Sequence, residues 1–370
     1  MKFLHSGDWH LGRPFVGLGT KGSKLRDAQM STVKEIIGVA SAEEVDAMVI
    51  AGDAFDSNEV SGLLVKRVVS LLESLHPIPV FVLPGTHDVL DETCVYYRRE
   101  FREAGNIHVF GIDGTSFEVG DAAIHGRAND SKRGGIRPLK ELKPNPEVAV
   151  NIAVVHASLA IPSKSSSDDY LVTPQDIAGS GMDYAALGHW HKAAEFSSAG
   201  VSAWYSGSPE PLKFDEGNGA GNVLLVEVGD GKTVVVPRHV GHFSWLEKSI
   251  DVSKFPPGDS LDSEILASAG DKTLLKVSLK GVLPPGTDID YAYIEESLSE
   301  EFFHLQIDAS RVGFHLEDLD NLFVAGTVGS LYVQQIRQQI RKAKKPEEKA
   351  LLEEGLYRGA GYLSGDLEVV

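Results

Sequence analysis

Apolar positions along the chain gather into short unbroken runs that alternate with stretches of helical spacing. "KFLHS" reads as a strand, about residues 24 to 44 repeat apolar side chains at helical intervals, and "AMVIAGD" is again a continuous apolar strand. A helical stretch over roughly 60 to 75 leads into the strand "PVFVLPG". Strands covered on both faces lose their in-out alternation, so this order predicts a largely parallel sheet flanked by helices, an α/β layer fold. Farther along, "SFEVGDAAIHG", "EVAVNIAVVH", "YAALGHW" and "AWYSGS" predict a second sheet packed on the first. "NVLLVEVGDGKTVVVPRHV" predicts a hairpin that turns at its Asp-Gly.

The pattern changes after about residue 243. "SKFPPGDS" and "GVLPPGTD" are turn-rich, and around them lie a strand ("TLLKVSLKG"), a helix ("YAYIEESLSEEF") and a further strand ("LQIDAS"), enough for a small α+β domain. From Ser330, a candidate N-cap, helical spacing places Tyr332, Val333, Ile336 and Ile340 on one face. Pro346 suits the first turn of a second helix through Leu352 and Tyr357, so two short helices are predicted at the end. The expected organisation is a large α/β domain over 1–243, a small α+β domain over 244–325 and a helical tail over 326–370.

Composition narrows the function classes. At 370 residues the chain exceeds what one core organises, and 42% apolar with 24% charged residues is ordinary for globular domains. No apolar run reaches membrane-spanning length, and "MKFLHSGDWH" meets charge and histidine too early for a signal peptide, so a cytoplasmic protein is expected. The single cysteine, Cys94, excludes an internal disulfide framework. A formal charge of −18 argues against general coating of nucleic acid, although a local basic groove stays open. Its candidates are Lys21, Lys24 and Arg26, then Arg98, Arg99 and Arg102, then Lys132, Arg133 and Arg137.

Chemistry concentrates where predicted strands stop, the place where loops of an α/β sheet converge on a rigid scaffold. "HSGDWH" supplies Asp8 and His10, "AGDAFD" supplies Asp53 and Asp56, and "PGTHD" supplies Thr86, His87 and Asp88. "VVHAS" adds His156 and "LGHWH" adds His189 and His191. Each motif alone is weak. Together, carboxylates and imidazoles suit manganese, iron or zinc, and a shared carboxylate suits a two-ion centre acting on a phosphoryl group. Asp56 stands between a turn carboxylate and a support for a neighbouring ligand. His5 and His125 lie in strand-like segments and read as packing residues, and Trp9 and Trp190 read as supports for the loops that carry the ligands.

The ordered series Asp-x-His, Gly-Asp-x-x-Asp, Gly-x-His-Asp, a lone His and Gly-His-x-His resembles the calcineurin-like metallophosphoesterase superfamily. More narrowly, "HSGDWHLGRPF", "GDAFDS", "ALGHWHK" and "YSGSPEPLKFDE" resemble the SbcD-type DNA repair exonucleases and their YhaO-like relatives, counterparts of the nuclease subunit in double-strand-break repair. The resemblance covers about residues 1 to 240; the rest matches only as a capping domain and a tail. It implies a two-sheet α/β sandwich in which Asp8, His10 and His191 bind one divalent ion, His156 and His189 bind a second, and Asp53 bridges them. It further implies manganese as the metal and His87 as the group acting on the scissile phosphate, its ring oriented by Asp88. Thr86 stands where the family motif has an asparagine ligand to the second ion. DNA as substrate, an SbcC-like or YhaN-like ATPase bound through the tail, and a homodimer formed by helices of the phosphoesterase domain are implied as well. Two other classes stay open: a phosphodiesterase for small nucleotides, and a non-catalytic subunit that binds DNA ends.

Overall fold

The structure is a computed structural model that describes residues 1–160, 170–254, 261–282, 289–313 and 319–364. The two Pro-Pro-Gly turns expected in "SKFPPGDS" and "GVLPPGTD" fall at 255–260 and 283–288, outside the described residues. The chain divides into two compact units, Met1–Trp245 and Leu246–Val370.

Strands of the first unit are β1 (Lys2–Ser6), β2 (Ala47–Ile50), β3 (Val80–Val82), β4 (Ile107–Val109), β5 (Thr115–Val119), β6 (Ala122–Gly126) and β7 (Val150–His156). They continue as β8 (Ser158–Leu159), β9 (Leu171–Val172), β10 (Tyr184–Gly188), β11 (Ala194–Glu195), β12 (Ser202–Tyr205), β13 (Asn222–Gly229) and β14 (Lys232–His239). One six-stranded sheet runs β14-β13-β1-β2-β3-β4 and the other β11-β12-β10-β7-β6-β5, each with a parallel centre and antiparallel strands at its margin. This is the predicted two-sheet α/β fold.

Alternation within each strand sorts residues between layers. Leu4, Met48, Ile50, Val80 and Val82 face helices Lys21–Ala42 and Gly62–Glu73, burying Val33, Ile36, Val65 and Val68. Their neighbours Phe3, Ala47, Val49 and Phe81 point the other way, against Ile124, Ile152, Val154 and Tyr184 of the second sheet. The central strands are therefore buried on both faces, which is why they read as unbroken apolar runs. The β13–β14 hairpin closes at Gly229↔Lys232, and Asp230 and Gly231 both take positive φ (51° and 68°), as a tight primed turn requires.

In the second unit, β15 (Ser244–Asp251), β16 (Gly270–Val282) and β17 (Phe302–Gly313) form a sheet in the order β15-β16-β17. Helix Tyr291–Leu298 links the parallel pair β16–β17, and Ile250, Leu275, Val277 and Leu305 share a core. Two helices, Val328–Lys342 and Pro346–Ser364, follow as a hairpin. The first is capped by Thr327, whose hydroxyl accepts from Ser330 N, so it starts earlier than Ser330. Gly326 turns the chain with φ 87° and Thr327 is extended, which makes Thr327 the boundary residue. The second helix, at 19 residues, is longer than expected.

The apolar face expected to meet a partner is covered from within. Val333 is 2% exposed and packs with Leu319, Leu356 and Ala360, while Tyr332, Ile336 and Ile340 border the same cluster. Tyr332 Oη donates to Gly355 O at 2.6 Å, tying the two helices. These four residues are therefore not a vacant face for an ATPase. Periodicity told which face is buried and left open what buries it.

Candidate metal centre

Five strands deliver the candidate residues from their carboxyl ends. β1, β2 and β3 lie side by side in one sheet and lead to Asp8 and His10, Asp53 and Asp56, and Thr86, His87 and Asp88. β7 ends on His156, and its neighbour β10 leads to His189 and His191. Backbone bonds lock the loops together: Asp8 N donates to Gly52 O at 3.0 Å and His10 N to Asp53 O at 2.9 Å. The sheets are joined at the same point, where His189 N donates to the Asp8 carboxylate at 3.1 Å and His156 Nδ1 to Ala51 O at 2.9 Å.

Strained backbone is concentrated here. Asp8, His10 and Asp53 take φ of 52°, 47° and 50°, and His189 takes 105°, in a region that side-chain-bearing residues adopt at about 1–3 kcal/mol each. Close approach adds its own demand. A Cβ on Gly85 would lie 2.2 Å from Asp53 Oδ1, and one on Gly188 would lie 1.7 Å from Ala51 O. Glycine at these positions lets the turns close over the cluster.

Three overlapping groups of donor atoms, each within 4.8 Å of one another, result: Asp8 with His10 and His191, His10 with Asp53 and His87, and Asp8 with Asp53 and His156. Asp53 is central. Its Oδ2 lies 3.7 Å from His10 Nε2, 3.2 Å from His156 Nε2 and 3.3 Å from Thr86 Oγ1, while Oδ1 accepts from His87 N at 2.8 Å. Thr86 Oγ1 is also 3.4 Å from His156 Nε2, and His189 Nδ1 is 3.3 Å from the same atom.

The histidine rings are held by their far nitrogens. His10 Nδ1 meets Asp56 Oδ1 at 3.1 Å, His191 Nδ1 meets Glu216 Oε1 at 2.6 Å, and His156 and His87 use the carbonyls of Ala51 and Asp56. These pairings occupy Nδ1 and leave Nε2 as the candidate ligand atom, the usual arrangement around a metal; in His156 that atom already lies against Asp53 Oδ2. Asp56 thus supports a ring rather than merely its own turn. Asp88 does not orient His87. Buried, it accepts from Gly85 N (2.7 Å), Phe55 N (3.0 Å) and Tyr96 Oη (2.5 Å), so it shapes the backbone of the turn that carries the histidine.

Electrostatics favour a cation. Burial pulls the His156 imidazole down, but the Asp53 and Asp8 carboxylates outweigh it and lift its pKa to about 9. Burial also lifts Asp8, while Asp53, despite burial, is held well below the usual carboxylate range by His156 and His10. Two fully buried carboxylates thus have imidazolium as their nearest compensation, and a divalent ion would replace those protons. His10 Nε2 is buried with no hydrogen-bond partner, an orphaned donor aimed at the same point. The donor set fits a divalent metal on these grounds.

The matched family model, calcineurin-like phosphoesterase, spans residues 1–193. The chain belongs to that family. A calcineurin-like phosphoesterase is a metal-dependent hydrolase, which is what this donor set suits. The chain is 25% identical over 304 residues to the uncharacterized metallophosphoesterase YhaO of Bacillus subtilis, covering 77% of this chain and 72% of that protein. It is 27% identical over 271 residues to a subunit of the nuclease SbcCD of Bacillus subtilis, covering 63% and 67%. It is 30% identical over 260 residues to the DNA double-strand break repair protein Mre11 of Aeropyrum pernix, covering 64% and 61%.

The remaining candidates divide. Trp9 is buried and donates to Ser6 Oγ at 2.8 Å, and Trp190 stacks on Tyr205 at 5.1 Å, so both brace the phosphoesterase loops. His5 and His125 are buried in hydrogen bonds to Tyr184 and to Ser116 and Asn151. Arg137 is committed to the buried Asp176 at 2.7 Å, whereas Arg99 only pairs on the surface with Glu103 at 2.7 Å. Among the described residues no helix is long and apolar enough to cross a membrane. Sequence reasoning missed Glu216 and Asn129, whose Nδ2 donates to His156 O at 3.0 Å. Both come from segments remote in sequence; Glu216 closes the "YSGSPEPLKFDE" stretch, but that stretch does not announce its contact with His191.

Proposed function

We propose that this chain is a metal-dependent DNA nuclease, hydrolysing phosphodiesters at duplex ends and within single strands, and that it serves DNA repair in the cytoplasm. One observation carries the reading: a buried cluster of carboxylates and imidazoles has a single exposed histidine, His87, on its rim. Asp8, His10 and His191 would hold one ion, His156 and His189 with Thr86 the other, and Asp53 would bridge them, with manganese the favoured metal. Divalent ions bound there would supply Lewis acidity toward a phosphoryl oxygen and a lowered pKa for water. His87 is held by Asp56 O through Nδ1 and by Asp53 Oδ1 through its backbone N–H, so its Nε2 is presented to substrate. From there it protonates the leaving oxygen or stabilises its charge.

The relatives support DNA as the substrate, since two of them carry nuclease and DNA break repair in their names. A net charge of −18 fits an enzyme that relies on partners to hold DNA, here an SbcC-like or YhaN-like ATPase and a second copy of the chain. The ATPase would meet the outer side of the helical hairpin, where Val328 and Leu331 are 73% and 56% exposed, because the inner side is occupied. The test is a manganese-supplemented assay of wild type and His87→Ala on duplex DNA, single-stranded DNA, a cyclic nucleotide and bis-p-nitrophenyl phosphate. Turnover of DNA that His87→Ala loses supports the proposal. Turnover confined to the cyclic nucleotide would favour a small-nucleotide enzyme, and none on any ester would favour a DNA-end-binding subunit.

A further inference from the structure

The loop that follows β12, "SGSPEPLKFDE", contributes no residue to the donor groups yet returns to them. Glu216 is buried, and its carboxylate is shared between two donors: Oε1 meets His191 Nδ1 at 2.6 Å and Oε2 accepts from Leu212 N at 2.7 Å. The same loop grips the backbone around that histidine. Ser208 N donates to His191 O at 3.0 Å, and Ala193 N donates to Gly219 O at 2.7 Å. Its middle is anchored independently by Glu210, a second buried carboxylate, which accepts from Thr32 Oγ1 (2.6 Å), His242 N (2.9 Å) and Phe243 N (2.8 Å). A loop tied to a long helix and to the segment after β14 can set the position of His191 rather than follow it.

The rings differ in what holds them. His156 and His87 turn Nδ1 to neutral carbonyls, whereas His191 turns Nδ1 to a carboxylate, as His10 does to Asp56. A carboxylate acceptor fixes the ring and makes the opposite nitrogen a stronger electron donor toward a cation. His191 is also the more open ring, 19% exposed at its side chain against 0% for His156, so burial alone does not hold its rotamer. We infer that Glu216 is a positioning residue for His191, holding Nε2 toward Asp8 and His10 and strengthening it as a ligand for a divalent ion. This rests on the reading of the cluster as a metal centre.

The test is calorimetric titration of the metal-free chain with Mn²⁺, for wild type, Glu216→Gln and Glu216→Ala, alongside thermal melts of the metal-free proteins. Outer partners of metal-bound histidines typically change affinity by roughly 10- to 100-fold. The expected result is that one of two binding events weakens by about that factor in Glu216→Gln while the other and the metal-free melting temperature stay put. Should Glu216→Ala not fold, the Gln variant decides alone, and the loss of the His191 Nδ1–H signal in nitrogen-detected spectra of the metal-free protein supplies a second readout. Unchanged affinity for both ions would overturn the inference. So would equal weakening of both events together with a lower melting temperature, because that is the behaviour of a general brace. A wild type that takes up no Mn²⁺ would instead remove the metal-centre reading itself, and this inference with it.

Discussion

The strand-end cluster and the C-terminal helical hairpin are built on opposite terms. In the cluster, carboxylates lie fully buried, several residues take left-handed backbone angles, and neighbouring glycines leave no room for a side chain. The left-handed angles cost stability, and together these features bring Asp8, Asp53 and the histidines to one place. In the hairpin, by contrast, Val333, Leu356 and Ala360 are simply apolar and covered. The difference teaches where substitutions should strike: chemistry depends on single polar atoms in one region, stability on buried area in the other.

The severest test of that contrast is Asp53→Asn. Asp53 touches both donor groups through one oxygen, and an amide there would remove the charge that compensates two cations. Hydrolysis should be abolished and metal content should fall, while the melting of the second unit is unaffected. Metal analysis and a residual activity assay check this, and wild-type activity in the variant would refute the assignment. Next in size is His87→Ala, expected to lose about 10² to 10⁴ in rate while retaining metal and DNA binding. Loss of metal in step with rate would place His87 among the ligands, as its grouping with His10 and Asp53 permits.

Protonation offers a third probe of the same contrast. In the metal-free protein the His156 pKa, pulled down by burial but raised further by Asp53, reaches about 9 against an ordinary 6.5. A group whose folded pKa is raised stabilises the fold fully below its unfolded value and loses that contribution as pH rises through the folded one. Metal-free protein should therefore lose stability between about pH 6.5 and 9, and Mn²⁺ affinity should rise over the same window because the ion displaces that proton. Melting curves with and without Mn²⁺ across this range would show it; the hairpin, which lacks such a buried pair among its described residues, should contribute nothing.

How far each region was legible follows from what its pattern encodes. Strand ends were readable because Asp-x-His and Gly-His-x-His place ligand-type residues where apolar runs stop, a local signal. The Asp-Gly hairpin was readable for the same reason. Glu216 and the Asp56 carbonyl were not, because their contacts with His191 and His87 join segments 25 and 31 residues apart. The helical hairpin lies between these cases. Tyr332, Val333, Ile336 and Ile340 correctly mark a buried face, but only tertiary structure shows that Leu356 and Ala360 cover it.

In that hairpin, Val333→Ala should destabilise the helical pair by about 1.5–3 kcal/mol, from two buried methyl groups at about 0.8 kcal/mol each and the cavity they leave. Calorimetric melting would show this as a lowered transition for the second unit, with Mn²⁺ uptake unchanged. An equal loss of metal would mean that the two regions are not separable.

The smallest effect, and the finest test, concerns Thr86. Its hydroxyl lies 3.3 Å from Asp53 Oδ2 and 3.4 Å from His156 Nε2, so it faces the group that includes His156 and Asp53 and not the one built on Asp8, His10 and His191. A hydroxyl is a weaker neutral ligand than an amide oxygen and sits on a shorter side chain, which leaves that group short of one strong oxygen donor. Activity should accordingly rise with Mn²⁺ in a range where the other group is already filled. Thr86→Asn should move that rise to lower Mn²⁺, by about tenfold or less, because one improved ligand is worth on the order of 1 kcal/mol. Calorimetry of both proteins should show one affinity shifted and the other constant. Two equal affinities in the wild type, or no response to asparagine, would mean that the hydroxyl already suffices or that position 86 never meets the ion.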